Sequence, residues 1–289
     1  MSGHGTPLQI SAGWESVLVA NGWTSLDELF RLANDAQLAK PGLPSWRERV
    51  RCTLPHAGGA GATVYLKRFS RPPFREQFRR WLTGDPNHGT AWAEWTWLGL
   101  MRRKGLPAPE PIAYGEEMLG PWERHSAVLM AAVSGKSLEK WVGELHRRLS
   151  RPLLDAVADL VFRFHGLNLA HRDLYLAHVF CDDPEAESPR VALIDLQRAR
   201  SLGWRRRRWI VKDLASLNYS TPKWAATPRD RLRWLKRYLG VSRLRMADRL
   251  LVRLIAGKTE RIRRHDLRAG VTVPEANSVA PPGLGGYGA

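Results

Sequence analysis

The chain has 289 residues, 44% hydrophobic and 25% charged, a composition that excludes wholesale disorder. No stretch approaches the roughly 18 apolar residues of a membrane span; the opening MSGHGTPLQI lacks the basic-then-apolar plan of a secretory signal, and Cys52 and Cys181 have no metal-ligand spacing, so free thiols in the cytoplasm are expected. Net charge is +17, and residues 200–268 alone hold 21 Lys and Arg against 5 Asp and Glu, so nearly all the excess lies in the C-terminal quarter. Such asymmetry points to a surface facing something anionic: nucleic acid, a phosphorylated substrate or an acidic leaflet. For a single arginine a solvated helix face is the plainer reading; for the block containing WRRRRW, Trp204 to Trp209, a functional role is expected.

In chain order, SLDELFRLA from Ser25 carries a capping-box pattern, Ser25 with Glu28, and places Leu26, Leu29 and Phe30 at helical spacing. It predicts a short helix within an N-terminal extension over residues 1–35. RVRCTLP and TVYLKRF alternate as strands joined by HAGGAGA, a hairpin in which Gly58, Gly59 and Gly61 read as turn residues permitting positive φ. Residues 89–104 read as a helix, stopped by the prolines of residues 105–111. SAVLMAAV, residues 126–133, is a buried strand and SGK a hinge. From Pro152 to Leu167, the residues Leu153, Leu154, Val157, Leu160, Val161 and Phe164 make one apolar helix face leading into His171, Arg172 and Asp173. VALID, residues 191–195, is a strand closed by Asp195; beyond 210 the pattern is helical and basic. The Gly/Pro-rich tail from 269 is expected to stay loose.

This order is that of an α+β, two-lobed protein-kinase-like fold. A small antiparallel-sheet N-lobe is expected over 36–134, a mainly helical C-lobe over 135–268, and a flexible tail over 269–289. A carboxylate beside an arginine, shortly before the apolar pair Val179 and Phe180, is an arrangement phosphotransferases use to aim a substrate hydroxyl at ATP. Glu94 shares the apolar face of its helix with Trp97, Leu98 and Met101, where a bare carboxylate is costly, and Lys67 is the natural cationic partner. The alternative is a Glu94 at the edge of the stripe that reaches water.

Taken together, HRDLYLAH, LIDLQRA and KDLASLNYS resemble the lipopolysaccharide core heptose and Kdo kinases, the WaaP-like family, over roughly residues 45 to 240. The resemblance implies ATP and Mg²⁺ as cofactors. It gives Lys67 contact with the α- and β-phosphates, with Glu94 as its partner, and makes Asp173 the catalytic base or orienting group. It places Mg²⁺ on Asp195, whose carboxylate suits a hard ion. His178 stands where the broader kinase pattern has Asn, and its role is left among metal, phosphate and packing. Gln197 follows where a mobile Phe-Gly switch would be and offers an oxygen. Asp213 matches the acid that holds the catalytic loop, or is an ordinary helix-start Asp; His171 belongs to the same support, and Arg172 pairs with phosphate or a neighbouring acid. The phosphate-covering loop falls near residues 38–46, with a single glycine.

Only 18 positions separate Asp195 from Asp213, and no APE motif lies between them, so a protein acceptor is disfavoured. A sugar or glycolipid acceptor is expected, with an anionic membrane surface as a partner of the basic C-terminal region and a peripheral place on the inner membrane. No nucleic-acid motif accompanies the charge, so nucleic acid is not the expected partner. The alternatives are a small-molecule kinase of aminoglycoside or choline type and a catalytically silent kinase-like binding module.

Overall fold

The structure, a computed structural model, describes residues 6–32, 43–56, 59–83 and 85–270. The chain divides into two compact units, residues 1–133 with 195–197, and residues 134–194 with 198–289.

The first unit runs β1 (Gln9–Ile10), α1 (Glu15–Ala20), α2 (Leu26–Arg31), β2 (Arg47–His56), β3 (Gly59–Ser70), α3 (Phe74–Thr83), α4 (Thr90–Arg103), β4 (Pro111–Leu119) and β5 (Trp122–Ala131). Its strands form one antiparallel sheet in the order β1-β4-β5-β3-β2. Alternation along β2 and β3 sends Val50, Leu54, Val64 and Leu66 to one face, where they pack with Leu18, Leu26 and Leu29 of α1 and α2. Lys67 therefore projects from the other face, which α4 covers. Ser25 and Glu28 form the capping box of α2. Residues 6–32 contribute more than the one helix read from SLDELFRLA: they also supply α1 and an edge strand, because Leu18, Trp23, Leu26 and Leu29 have a sheet face to bury against.

Two of the glycines read as turn residues are strand residues instead. Strand β3 already begins at Gly59. At Gly61 a Cβ would stand 2.6 Å from Thr53 Cγ2 and 3.1 Å from the Leu54 carbonyl oxygen, so the missing side chain lets two strands close up. Gly58 lies outside the described residues, as do residues 38–42 of the expected covering loop and the tail from 271.

The second unit runs β6 (Lys136–Ser137), α5 (Leu138–Leu145), α6 (Arg151–Gly166), β7 (Leu169–Ala170), β8 (Val179–Cys181), β9 (Val191–Leu193), β10 (Arg200–Ser201), α7 (Arg206–Ser220), α8 (Pro228–Leu239) and α9 (Met246–Arg268). Small antiparallel ladders, β6-β8-β9 and β7-β10, frame a helical body in which α6 packs on α8 and α7 on α9. Ser150 caps α6 through the Leu153 N–H, Pro152 occupies its first turn, and its apolar face buries Leu153, Val157, Leu160, Val161 and Phe164. A Thr227–Asp230 capping box starts α8, and Gly240 at φ 66° ends it. The VALID strand stops at Leu193, so Asp195 lies beyond the ladder. At φ 60° its backbone is left-handed and cannot continue a strand. Among the described residues no helix is long and apolar enough to cross a membrane.

Candidate active site

In the first unit, β3 and α4 bring Lys67 and Glu94 together. Lys67 Nζ donates to both Glu94 oxygens at 2.7 Å, and the Glu94 side chain is 0% exposed, so the water-reaching alternative does not hold. Burial pushes the Glu94 carboxyl above its ordinary range, and Lys67 opposes that shift by favouring the charged form. Lys67 Nζ also lies 2.8 Å from Asp195 Oδ1, while Asp195 Oδ2 accepts from Arg49 at 3.1 Å. Arg49 is directly opposite Lys67 in the β2–β3 ladder, which explains why both cations reach one carboxylate. Gln197 accepts a hydrogen bond from Arg47 through its side-chain oxygen. The Arg47 guanidinium lies over Trp46 and Phe69, with its carbon 5.3 and 5.7 Å from the ring centres.

In the second unit, Asp213 of α7 holds the loop that follows β7. One of its oxygens accepts from the His171 N–H and the other from the Arg172 N–H, each at 2.7 Å, and its residue is fully buried. Arg172 itself is left-handed at φ 71°, a conformation uncommon for a non-glycine residue and maintained here by those two bonds. His171 Nε2 bonds the Ile194 carbonyl at 2.9 Å. His178 Nδ1 donates to the Asp173 carbonyl at 2.7 Å, and its ring stacks on His171 with centroids 5.7 Å apart. In this structure His178 thus shapes the loop backbone around Asp173. The Arg172 guanidinium lies over Trp209 at 5.1 Å and donates to the Arg198 carbonyl at 3.4 Å.

The Asp173 carboxylate is held by cations that the motifs do not announce. Arg198 Nη1 lies 2.9 Å from Oδ2, and Lys212 Nζ is 3.6 Å from Oδ1 while also donating to the Arg172 carbonyl. Burial pulls the Lys212 ammonium below its ordinary range, and Asp173 draws it back up. Sequence reasoning passed over Arg47, Arg49, Arg198 and Lys212. Signals for them existed: Arg47 and Arg49 alternate on one face of β2 next to the Lys67 strand, Arg198 stands three residues past Asp195, and Lys212 precedes Asp213. The oxygens of Asp195 and Gln197 are hard donors of the kind that hold Mg²⁺ together with phosphates, and Asp195 already draws two cations, so this donor set fits such an ion.

A model of the lipopolysaccharide kinase (Kdo/WaaP) family matches residues 50–238. The lipopolysaccharide core heptose(I) kinase WaaP of Pseudomonas aeruginosa is 32% identical over 154 residues, 50% of this chain and 58% of that protein. The WaaP of Escherichia coli is 29% identical over 189 residues, 62% of this chain and 71% of that protein. The chain therefore spans a little over half the length of the first of these relatives. A solved structure of WaaP in complex with acyl carrier protein aligns at a TM-score of 0.63 and 24% identity, covering 90% of this chain and 98% of that one. That likeness shows a kinase-like α+β fold. The family match covers well over half of the sequence, and the chain belongs to the lipopolysaccharide kinase (Kdo/WaaP) family.

Proposed function

We propose that the chain is an ATP-dependent kinase that phosphorylates a sugar hydroxyl of the lipopolysaccharide core, on heptose or Kdo, or of a similar glycolipid. The buried Lys67–Glu94 pair carries this reading. A buried ion pair is weak as a stabilising device, since desolvation offsets most of its attraction, so its presence is better explained by an ammonium oriented toward phosphates. Asp195 and Gln197 would hold Mg²⁺, which when bound would supply charge neutralisation for the triphosphate. Asp173, fixed through the loop that Asp213 anchors, orients the acceptor hydroxyl for in-line attack. The acceptor oxygen bonds to the γ-phosphorus, the bond from that phosphorus to the β–γ bridging oxygen breaks, ADP leaves, and the hydroxyl proton passes to Asp173. Arg198 and Lys212 keep the carboxylate in place and offer positive charge beside the transferring group.

The named activity of the relatives supports the acceptor class. The test is incubation with labelled ATP and a panel of core saccharides, free aminoglycosides and a generic peptide. Label on a heptose- or Kdo-containing saccharide is expected. Label on aminoglycosides alone favours the small-molecule alternative, and nucleotide binding without turnover favours the silent module. Action at the cytoplasmic side of the inner membrane belongs to the same proposal.

A specific feature favours a second partner. The second unit holds an apolar cavity of about 300 Å³ lined by residues including Leu138, Leu153, Val157, Leu217, Leu235 and Ile255. Because the aligned WaaP is in complex with acyl carrier protein, we include an acyl carrier protein as a partner, with this cavity as its candidate contact. Leu153→Trp, which fills the cavity, should weaken binding of added carrier protein in a pull-down.

A further inference from the structure

Four consecutive arginines, Arg205 to Arg208, stand at the start of α7. Arg205, Arg206, Arg207 and Arg208 are all exposed, and among the described residues none forms an ion pair. Their contacts are weak or aromatic: Arg205 lies over the Trp204 ring at 4.3 Å, Arg206 Nη1 is 3.5 Å from Asn168 Oδ1, and Arg208 lies over Trp209 at 5.4 Å. Other arginines of the same unit are tied, Arg237 to Asp159 at 2.6 Å and Arg148 to Asp230 at 3.0 Å. The placement also works against the helix. α7 has no acidic residue in its first turn and no side-chain cap, and cations at a helix N-terminus oppose its dipole. A local rule is broken here with no compensating ion pair among the described residues.

Two large aromatic side chains stand out beside these charges. Trp204 is 88% exposed and Phe162 of α6 is 56% exposed. Phe162 lies on α6, six residues before Asn168, the residue that Arg206 reaches, so it stands in the neighbourhood of the arginines. Trp209, next in the chain, receives the guanidinium of Arg172, the neighbour of Asp173, so the basic segment connects within one helix to the loop that carries the proposed acceptor-orienting group.

We propose that Trp204, Phe162 and Arg205 to Arg208 form a docking face for an anionic lipid bilayer, from which the enzyme takes a membrane-anchored acceptor; this rests on the kinase reading above. Indole and phenyl rings suit the headgroup layer, and each arginine near an anionic leaflet adds to the attraction. Arginines without an ion pair have no salt bridge to break on binding.

The experiment uses the full chain with vesicles of phosphatidylcholine alone and mixed with phosphatidylglycerol. Binding is expected only to the anionic vesicles and weakens as salt rises. The combined variant Trp204→Ser, Arg205→Gln, Arg207→Gln should bind them at least about tenfold more weakly, with a melting temperature no lower than that of the wild type. It should phosphorylate a water-soluble core saccharide at the wild-type rate and lose activity only on acceptor embedded in anionic vesicles. Phe162→Ser, on a different helix, should weaken vesicle binding on its own. Equal binding to neutral and anionic vesicles, or a combined variant that binds as wild type does, overturns the docking face, as does RNA outcompeting the vesicles. Wild type that binds anionic vesicles but phosphorylates no saccharide leaves the face standing and overturns the kinase reading.

Discussion

Glu94 has no exposed surface, so its charge is tolerable only while the Lys67 ammonium stays 2.7 Å away. Lys67→Ala should therefore cost about 3–5 kcal/mol of stability as well as activity, because it strands a buried carboxylate. Replacing both partners with apolar residues, Lys67→Met with Glu94→Leu, should recover most of that stability in denaturant unfolding and none of the phosphoryl transfer. This split separates a chemical role from a structural one. The pair was legible because one carboxylate interrupted an apolar helical stripe. The cations on Asp173 were not, since Arg198 and Lys212 are 14 positions apart and no spacing rule joins them to a loop 25 residues earlier. Lys212 carries a pH prediction. Burial lowers its pKa, so it loses its proton at a lower pH than an ordinary lysine, and the transfer rate should fall correspondingly early on the alkaline side. Lys212→Arg keeps its charge at any such pH, and its rate profile should extend further into base.

At the scale of elements, α7 does several jobs at once. It carries arginines without an ion pair, Trp209 and Lys212, places Asp213 against the loop that leads to Asp173, and through Ser220 accepts from the Leu176 N–H at 2.9 Å. The helix α6 was readable because its apolar residues recur on one face against a well-capped start. Strand β4 was not, and the reason is physical. It lies inside the sheet with Pro111 to Gly115 all buried, so no polar alternation marks it, and at Gly115 a Cβ would stand 2.6 Å from Leu8 Cδ2. Gly135, in the segment SGK, gives the sharpest test. Its φ is 87°, and an added Cβ would fall 1.9 Å from the Cys181 carbonyl oxygen, a backbone atom that cannot swing aside. Gly135→Ala should destabilise the protein by more than about 2 kcal/mol, read as a drop in the denaturant midpoint.

For the whole molecule, ligand linkage offers a measurement that does not need the acceptor. A ligand present at a hundred times its dissociation constant adds about 2.7 kcal/mol to the folded state, and a protein of this size gains roughly 2–4 °C per kcal/mol. ATP with Mg²⁺ should therefore raise the melting temperature by about 5–10 °C. Asp173→Ala should keep that shift while losing transfer. In Lys67→Ala the shift should vanish when measured against the variant's own ligand-free melt.

The sequence by itself determined what is local or periodic: the capped helices, the β2–β3 hairpin, the HRD, LID and KDL motifs in order, and the concentration of basic charge near the C-terminus. These survive inspection one segment at a time because hydrogen-bond periodicity and side-chain chemistry repeat over a few residues. Lys67 with Glu94 apart, tertiary structure alone decided which cations meet which carboxylates, and which arginines meet none among the described residues. Ion pairing falls off over a few ångströms, and partners 25 to 146 positions apart, such as Arg198 with Asp173 or Arg49 with Asp195, become neighbours only when the chain has folded.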